Sequence, residues 1–282
     1  MNKGCSNDLI PIYEAVQNIF VLDSHCTVLA HNEKQIIKPD YSELFKHIVE
    51  PDKSELIILA SSHSTGKTSL AISLALEFAR KYQKEVDYFS LELTTKQFVL
   101  RLLSIEASVD INRLKHNLLE RDEIERLLYC IEHKHMNNIP LYIDYSSDGN
   151  LIFKKIRSRS NPGLIVVDYL QLLTEPDYDI HYGFNERYRM FSDKIRVFKH
   201  LVKELNIPVV LLSQVSRDIN YQSVKRPSLK NIRKLFDIDE VDKIIFLYRD
   251  SLYNSNSENP DGIELNISKN NNGKLGSFDY RI

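Results

Sequence analysis

A glycine, a lysine and a threonine that follow an apolar run are the residues of this chain best placed for chemistry. The segment ILASSHSTGKTSLA joins the run ELIILA (55–60) to a helical stretch from Lys67 to Tyr82, and its core is Ser61-x-x-x-x-Gly66-Lys67-Thr68. Holding a chain of phosphates needs convergent backbone N–H groups at a helix N-terminus, a lysine for the outer phosphates and a hydroxyl for Mg²⁺. Ser62, His63, Ser64, Thr65, Gly66, Lys67, Thr68 and Ser69 supply that set, with Thr68 as a metal ligand. Ser61 stands where the usual pattern has its first glycine, so a chance Gly-Lys-Thr at a helix start is the competing reading. His63 reads either as a phosphate contact or as a solvent-facing loop histidine.

Three further polar residues end apolar runs. Asp168 closes LIVVD about a hundred residues after the loop. A carboxylate at the C-terminal end of a parallel strand beside a phosphate loop is where Mg²⁺ and its waters are held; alone it reads equally as a strand-end cap. Glu92 ends VDYFSLE and suits a general base for an attacking water, or a solvated carboxylate. Gln214, in LLSQVS, suits a hydrogen bond to a γ-phosphate, or an ordinary loop glutamine. Together they set polar groups at strand ends along one sheet edge, which chance does not explain.

The elements that must position them alternate. Strands are expected at 55–60, 86–92, 140–145, 164–173, 207–214, 243–250 and 263–268, and helices at 67–82, 95–107, 110–138, 151–158 and 186–205. Thr94 and Gln97 form a capping box for the helix at 95–107. Short, nearly all-apolar strands separated by helices predict an α/β fold with a mostly parallel central sheet and helices on both faces. Residues 7–20 carry Leu9, Ile12, Ala15, Val16 and Ile19 at helical spacing, with Pro11 in the first turn. That apolar face is expected to dock either on a neighbouring subunit or on its own domain. Residues 21–54 show strand-like VLDSHCTVLAH and no clear period. The helix at 186–205 mixes arginines and lysines with Tyr188, Phe191 and Phe198; it reads as an apolar core face and a solvated basic face rather than a nucleic-acid surface. His133 and His135, flanking Lys134, read as a solvated helix rather than a metal site.

Composition narrows the classes. Thirty-seven Lys and Arg against 39 Asp and Glu give −2, which excludes a polybasic nucleic-acid coater. Hydrophobic residues at 43% exclude a disordered chain. No apolar run reaches the ~18 residues of a membrane span, so no membrane partner is expected. Cys5, Cys26 and Cys130 form no C-x-x-C pair and read as reduced thiols, and no secretory signal is evident, so a cytoplasmic location is expected.

ELIILA-SSHSTGKTSLA, YFSLELTTKQFVLRLLSIEASVDINRLK, GLIVVDYLQLL, LVKELNIPVVLLSQVSR, KRPSLKNIR, IIFLYRD and ISKNNNGKLG follow one another over residues 37–282. In order and approximate spacing they resemble the motor domain of DnaB-family replicative helicases, a RecA-like P-loop NTPase. The resemblance implies residues 1–36 as an N-terminal extension with a linker-like helix, and 37–282 as the ATPase domain. It implies ATP and Mg²⁺ as cofactors. Lys67 would bind phosphates, Thr68 and Asp168 would hold the metal, Glu92 would activate water, and Gln214 would couple γ-phosphate loss to DNA loops. The implied partners are single-stranded DNA, further copies in a ring such as a hexamer, and replication or mobile-element proteins.

The chain departs from that family pattern. The family's N-terminal helical collar domain, which binds primase, is expected to be missing. The DNA-contacting stretch keeps Arg233 but continues Lys234-Leu235-Phe236 where the family usually has Glu-Ser-Gly; Arg233 and Lys234 are the expected nucleic-acid contacts. The family's Lys-x-Arg-Asn-Gly, whose arginine reaches the neighbour's ATP, reads Lys269-Asn270-Asn271-Asn272-Gly273, so Asn271 replaces the arginine finger and Lys269 is retained as a nucleotide contact. Glycines before and within the phosphate loop are fewer, in a chain with only 8. Two functions follow: a helicase or translocase ATPase on single-stranded DNA, or an ATP-binding assembly or regulatory protein with weak or no unwinding. A recombinase-like ATPase fits the motifs less closely.

Overall fold

In a computed structural model of the chain, residues 9–19, 42–132, 138–173 and 184–281 are described. The strands are β1 (Ile10–Pro11), β2 (Leu56–Ser61), β3 (Glu85–Ser90), β4 (Leu141–Asp144), β5 (Pro162–Asp168), β6 (Val209–Gln214), β7 (Lys243–Tyr248), β8 (Gly262–Asn270) and β9 (Gly276–Arg281). The helices are α1 (Ile12–Ile19), α2 (Ser42–Ile48), α3 (Lys67–Tyr82), α4 (Thr95–Ala107), α5 (Ile111–Lys115), α6 (Arg121–Glu132), α7 (Gly149–Ser158), α8 (Phe184–Leu205) and α9 (Leu229–Arg233). Single 3₁₀ turns cover Leu170–Leu172, Arg217–Tyr221 and Asp250–Leu252.

All nine of these strands join one sheet in the order β1-β4-β3-β5-β6-β2-β7-β8-β9. From β4 to β7 every pairing is parallel. β1, β8 and β9 add antiparallel edges. Because the central strands share a direction, the C-terminal ends of β2, β3, β5 and β6 lie along one edge of the sheet.

Both faces of the sheet are covered, and the period of two shows how. Ile57 and Leu59 of β2 join one core cluster with α3 and α4; Leu56, Ile58 and Ala60 join the other with α7 and α8. A strand buried on both faces has no solvent side, which is why ELIILA carries no alternation. In α3, Leu70, Ala71, Leu74, Ala75, Phe78 and Ala79 are at most 2% exposed. A buried Leu or Phe contributes roughly 1.5–3 kcal/mol, so this stripe fixes the helix that starts at the phosphate loop. α4 opens on the expected capping box: Gln97 N–H donates to Thr94 Oγ1 at 3.3 Å and Thr94 N–H donates to Gln97 Oε1 at 3.0 Å.

Several boundaries differ from the sequence reading. β3 ends at Ser90, so Glu92 lies in the bend beyond the strand. β5 ends at Asp168, and the apolar LQL that follows is a 3₁₀ turn with Leu170 buried against the second cluster. The region 110–138 divides into α5 and α6, since Asp110 caps α5 and Asn117 turns the chain at φ 56°. Pro11 sits in β1, paired with Tyr142, and α1 begins after it. α1 packs on its own chain: Ile12, Ala15 and Val16 are at most 1% exposed, in the cluster that holds α4 and β4 residues. Short α2 and α9 and the strand β9 leave no mark in the sequence pattern, because five to seven residues hold too few periods to register. α8 buries Phe191, Ile195 and Phe198 as expected, but two of its basic residues are not solvated. Buried Lys194 donates to Leu173 O at 2.5 Å, and Lys199 pairs with Asp242 at 2.5 Å. His133, His135, Cys5, Cys26 and the strand-like VLDSHCTVLAH lie outside the described residues, and Cys130 is buried.

Candidate nucleotide site

The loop between β2 and α3 is built on the one residue in it that must be glycine. Gly66 caps α3 at φ 97°, ψ 13°, a left-handed conformation that side chains with a Cβ disfavour. Ser64 also has a positive φ of 59°. Thr65 Oγ1 donates to Ser62 O at 3.0 Å and stiffens the turn. Gly66 O then accepts from Leu70 N–H at 2.9 Å, the first helical bond. The N–H groups at the start of α3, which have no helical acceptor, therefore face the loop, where an anion gains from them and from the helix dipole. His63 and Ser64 are exposed, Thr65, Lys67 and Thr68 are buried, and Ser69 Oγ accepts from Arg101 of α4 at 3.4 Å.

Parallel register brings the other residues to the same edge. Ser61 pairs with Gln214 across β2 and β6, and Ser90 pairs with Asp168 across β3 and β5. Asp168 is fully buried; its Oδ2 accepts from Tyr88 Oη at 2.9 Å and its Oδ1 has no hydrogen-bond partner in this structure. Burial raises its pKa, against the pull of Lys67, the Thr68 hydroxyl and Tyr88 toward the charged form. Burial lowers the Lys67 pKa, against Asp168 and Glu92. Lys67 Nζ lies 5.5 Å from the Tyr169 ring centroid. Burial thus moves a cation and a carboxylate toward neutrality at a common place, and groups of opposite charge arriving there would restore both. The orphaned Asp168 Oδ1 and the buried, unpartnered Ser62 Oγ are the two atoms that an Mg²⁺–phosphate group would satisfy. The residues present fit such a group. Glu92, exposed in the bend after β3, stands close enough to act on Lys67, Asp168 and Tyr88.

Two contributors escape a reading of the sequence. Tyr88, inside an apolar strand, carries no signal until the register brings it across to Asp168. Gln171 is the polar residue in LIVVDYLQLL and could have been singled out. Its Nε2 donates to Ser213 Oγ at 2.8 Å and to Gln214 O at 3.1 Å, and its Oε1 accepts from Gln214 N–H at 3.3 Å. The end of β6 is thereby clamped to the turn after β5.

Lys269, Asn271, Arg233 and Lys234 lie elsewhere. β8 runs antiparallel to β7, so the β8–β9 turn returns to the N-terminal edge of the parallel strands, opposite the phosphate loop; Lys243, which pairs with Ile57 near the start of β2, pairs with Asn270. Asn271 N–H donates to Asp242 O at 2.9 Å, and its Nδ2 reaches Asp242 Oδ1 at 3.5 Å. Asn272 Nδ2 donates to Glu55 Oε1 at 2.8 Å. Lys269 Nζ donates to Ile238 O at 2.8 Å and Asp239 O at 3.2 Å. Exposed Arg233 ends α9, and Lys234 pairs with Asp218 at 2.6 Å. Among the described residues, no cluster of His, Cys, Asp and Glu with metal-site grouping occurs, and no helix is long and apolar enough to cross a membrane.

A mostly parallel sheet with a phosphate loop after one strand and a buried carboxylate ending another defines a RecA-like P-loop ATPase domain, and solved structures of that class align on it. One solved helicase-type ATPase domain superposes with a TM-score of 0.72 at 28% identity, covering 85% of each chain. A DnaB-like replicative helicase, solved in a study of its interactions with primase, superposes at 0.71 and 27%, covering 81% of this chain and 55% of that one. Residues 37–281 match the model of the DnaB-like helicase C terminal domain, and the chain belongs to that family. The resemblance read from motif order is borne out. Replicative DNA helicase DnaB of Geobacillus stearothermophilus is 31% identical over 281 residues, covering 98% of this chain and 59% of the relative. That of Haemophilus influenzae is 33% identical over 288 residues, covering 98% and 58%, and a probable replicative DNA helicase of Trieres chinensis is 34% identical over 242, covering 82% and 51%. The chain therefore spans between half and three-fifths of these relatives' length.

Proposed function

We propose that this chain is an ATP hydrolase of the replicative-helicase type, acting on single-stranded DNA in a homo-oligomeric ring, a hexamer by family, in the cytoplasm, alongside replication or mobile-element proteins. Residues 37–282 are its ATPase domain and 1–36 an extension. The observation that carries the reading is the meeting of the loop 62–69 with the orphaned Asp168 oxygen at one sheet edge. In it, Lys67 and the N–H groups of 62–69 hold the phosphates, and Thr68 and Asp168 hold Mg²⁺. The metal, when bound, neutralises charge that builds on the phosphate oxygens. Glu92 takes a proton from the attacking water. Gln214, clamped through Gln171, senses the γ-phosphate. Lys269 serves the neighbour's nucleotide, since its own phosphate loop lies across the sheet. Arg233 and Lys234 contact the DNA backbone.

A second reading is favoured by one feature, Asn271 at the finger position: a nucleotide-binding assembly or regulatory protein with weak unwinding. ATP turnover with and without single-stranded DNA, beside an unwinding assay, separates the two. Lys67→Ala should weaken binding of a labelled ATP analogue by roughly 1.5–3 kcal/mol, the scale of a charge-assisted hydrogen bond. Unchanged affinity in a folded variant removes the phosphate-loop reading altogether.

A further inference from the structure

Tyr221 exposes 91% of its surface at the end of the 3₁₀ turn Arg217–Tyr221, and Val224 exposes 63% three residues on. Tyrosines elsewhere in this half of the chain pack instead: Tyr248 is 9% exposed and stacks with Tyr253. The turn that carries Tyr221 is held firmly. Ile219 is 1% exposed in the same cluster as Ile232 and Phe236. Ser216 Oγ caps it through Asp218 N–H at 3.4 Å, and Gln222 N–H closes it on Ile219 O at 3.2 Å. Asp218 then joins the turn to the end of α9 through its 2.6 Å ion pair with Lys234. An aromatic ring is thus presented to solvent from a fixed turn tied to the helix end that carries Arg233 and Lys234.

The charge around it is one-sided. Residues 218–234 carry Lys225, Arg226, Lys230, Arg233 and Lys234 against Asp218 alone, in a chain whose 37 basic and 39 acidic residues otherwise balance. Glu264 of β8 engages Arg226 at 2.9 Å, which leaves the segment basic still. Polyanion phosphates are drawn to such a segment, and a rigid ring within it offers a face to unpaired bases. We propose that Tyr221 is a base-stacking platform for single-stranded DNA, with Val224 beside it, adding base contact to the backbone contacts of Arg233 and Lys234. The inference rests on the DNA-binding reading of Proposed function and deepens it. It assigns to this chain a contact through the faces of the bases, tolerant of sequence because every base has one.

The chain contains no tryptophan, so Tyr221→Trp introduces a single fluorophore at the site. The full chain, assembled with Mg²⁺ and a non-hydrolysable ATP analogue, is titrated with a thymidine oligonucleotide and with an abasic oligonucleotide of the same length and charge. Expected results are quenching of the tryptophan by the thymidine strand and not by the abasic one. Tyr221→Ala should weaken thymidine-strand binding by about 5- to 100-fold, from the usual scale of one stacked base, and leave abasic binding as it was. Tyr221→Phe should restore the loss. Equal affinity of Tyr221→Ala and the unmodified protein for the thymidine strand, with both still binding DNA, overturns the stacking role alone. Binding of neither strand by the unmodified protein overturns the DNA reading with it. Quenching by an acidic peptide in place of the oligonucleotide would make the surface a protein dock and overturn the proposal.

Discussion

An arginine in place of Asn271 should accelerate ATP turnover, and the sheet itself says on whose nucleotide it would act. The β8–β9 turn is pinned to the start of β7 and β2 by Asn271 on Asp242 and Asn272 on Glu55. The phosphate loop follows the other end of β2, six residues away, which is about 20 Å at the rise of a strand. No side chain crosses that span, so a charge at 271 serves a neighbouring subunit. An arginine finger is worth ~10³–10⁵ in rate, which is roughly 4–7 kcal/mol of barrier. Asn271→Arg also sets the new guanidinium near Asp242, a competing partner already held by Lys199 at 2.5 Å and by Leu56 N–H at 2.7 Å. A pair at that rim contributes up to about 1 kcal/mol, or roughly a fivefold loss, leaving an expected gain of about 10²–10⁴. The assay is phosphate release at saturating ATP and single-stranded DNA. Subunits carrying both Lys67→Ala and Asn271→Arg, mixed into rings of the unmodified protein, should raise turnover although their own loop is disabled. An unchanged rate in rings that still assemble refutes the reasoning. So does brisk DNA-stimulated turnover of the unmodified protein that survives Lys269→Ala, because another residue then supplies the charge.

Removing the Tyr88 hydroxyl by Tyr88→Phe takes the 2.9 Å donor from Asp168 and leaves a second buried carboxylate oxygen unpaired; a Mg²⁺ titration of ATP-analogue binding should shift to higher metal by about five- to tenfold, the scale of one lost hydrogen bond to a charged group, and an unshifted titration would remove Asp168 from the metal site. Asp87 makes stability fall with rising pH: burial pushes its carboxyl from 3.8 up to about 7 in spite of Arg159 beside it. The folded chain therefore holds that proton more tightly than the unfolded one between those values, so the contribution is full below about pH 4 and is lost as pH climbs to about 7. At about 1.4 kcal/mol per pH unit the decline is at most about 4 kcal/mol. Asp87→Asn should flatten the melting temperature across that window, and an equally steep profile in the variant would assign the decline to other groups.

Strand and helix placement is legible where apolar pattern and packing agree. ELIILA, the 67–82 stripe and the Thr94–Gln97 box are set locally, because a strand buried on both faces must be apolar throughout and a helix end must satisfy its own N–H groups. The loop residues 62–69 are legible for the same reason: Gly66 in a left-handed conformation and the hydroxyls beside it are local requirements. The boundaries of β3 and β5 are not, because Glu92 and the LQL after Asp168 continue the composition of their strands while their backbone leaves the ladder. What sequence alone determined was therefore the fold class, the phosphate loop and the family. What only tertiary structure decided was which residues meet across register. Tyr88 reaches Asp168 across β3 and β5, and Gln171 clamps Gln214. Lys199 turns from a solvent-facing helix residue into the partner of Asp242, and the Asn271 turn comes to rest at the edge of the sheet away from its own nucleotide. The physical reason is that these contacts join residues some 30 to 80 positions apart in the chain; local propensity carries no information about strand order, and strand order alone brings them together.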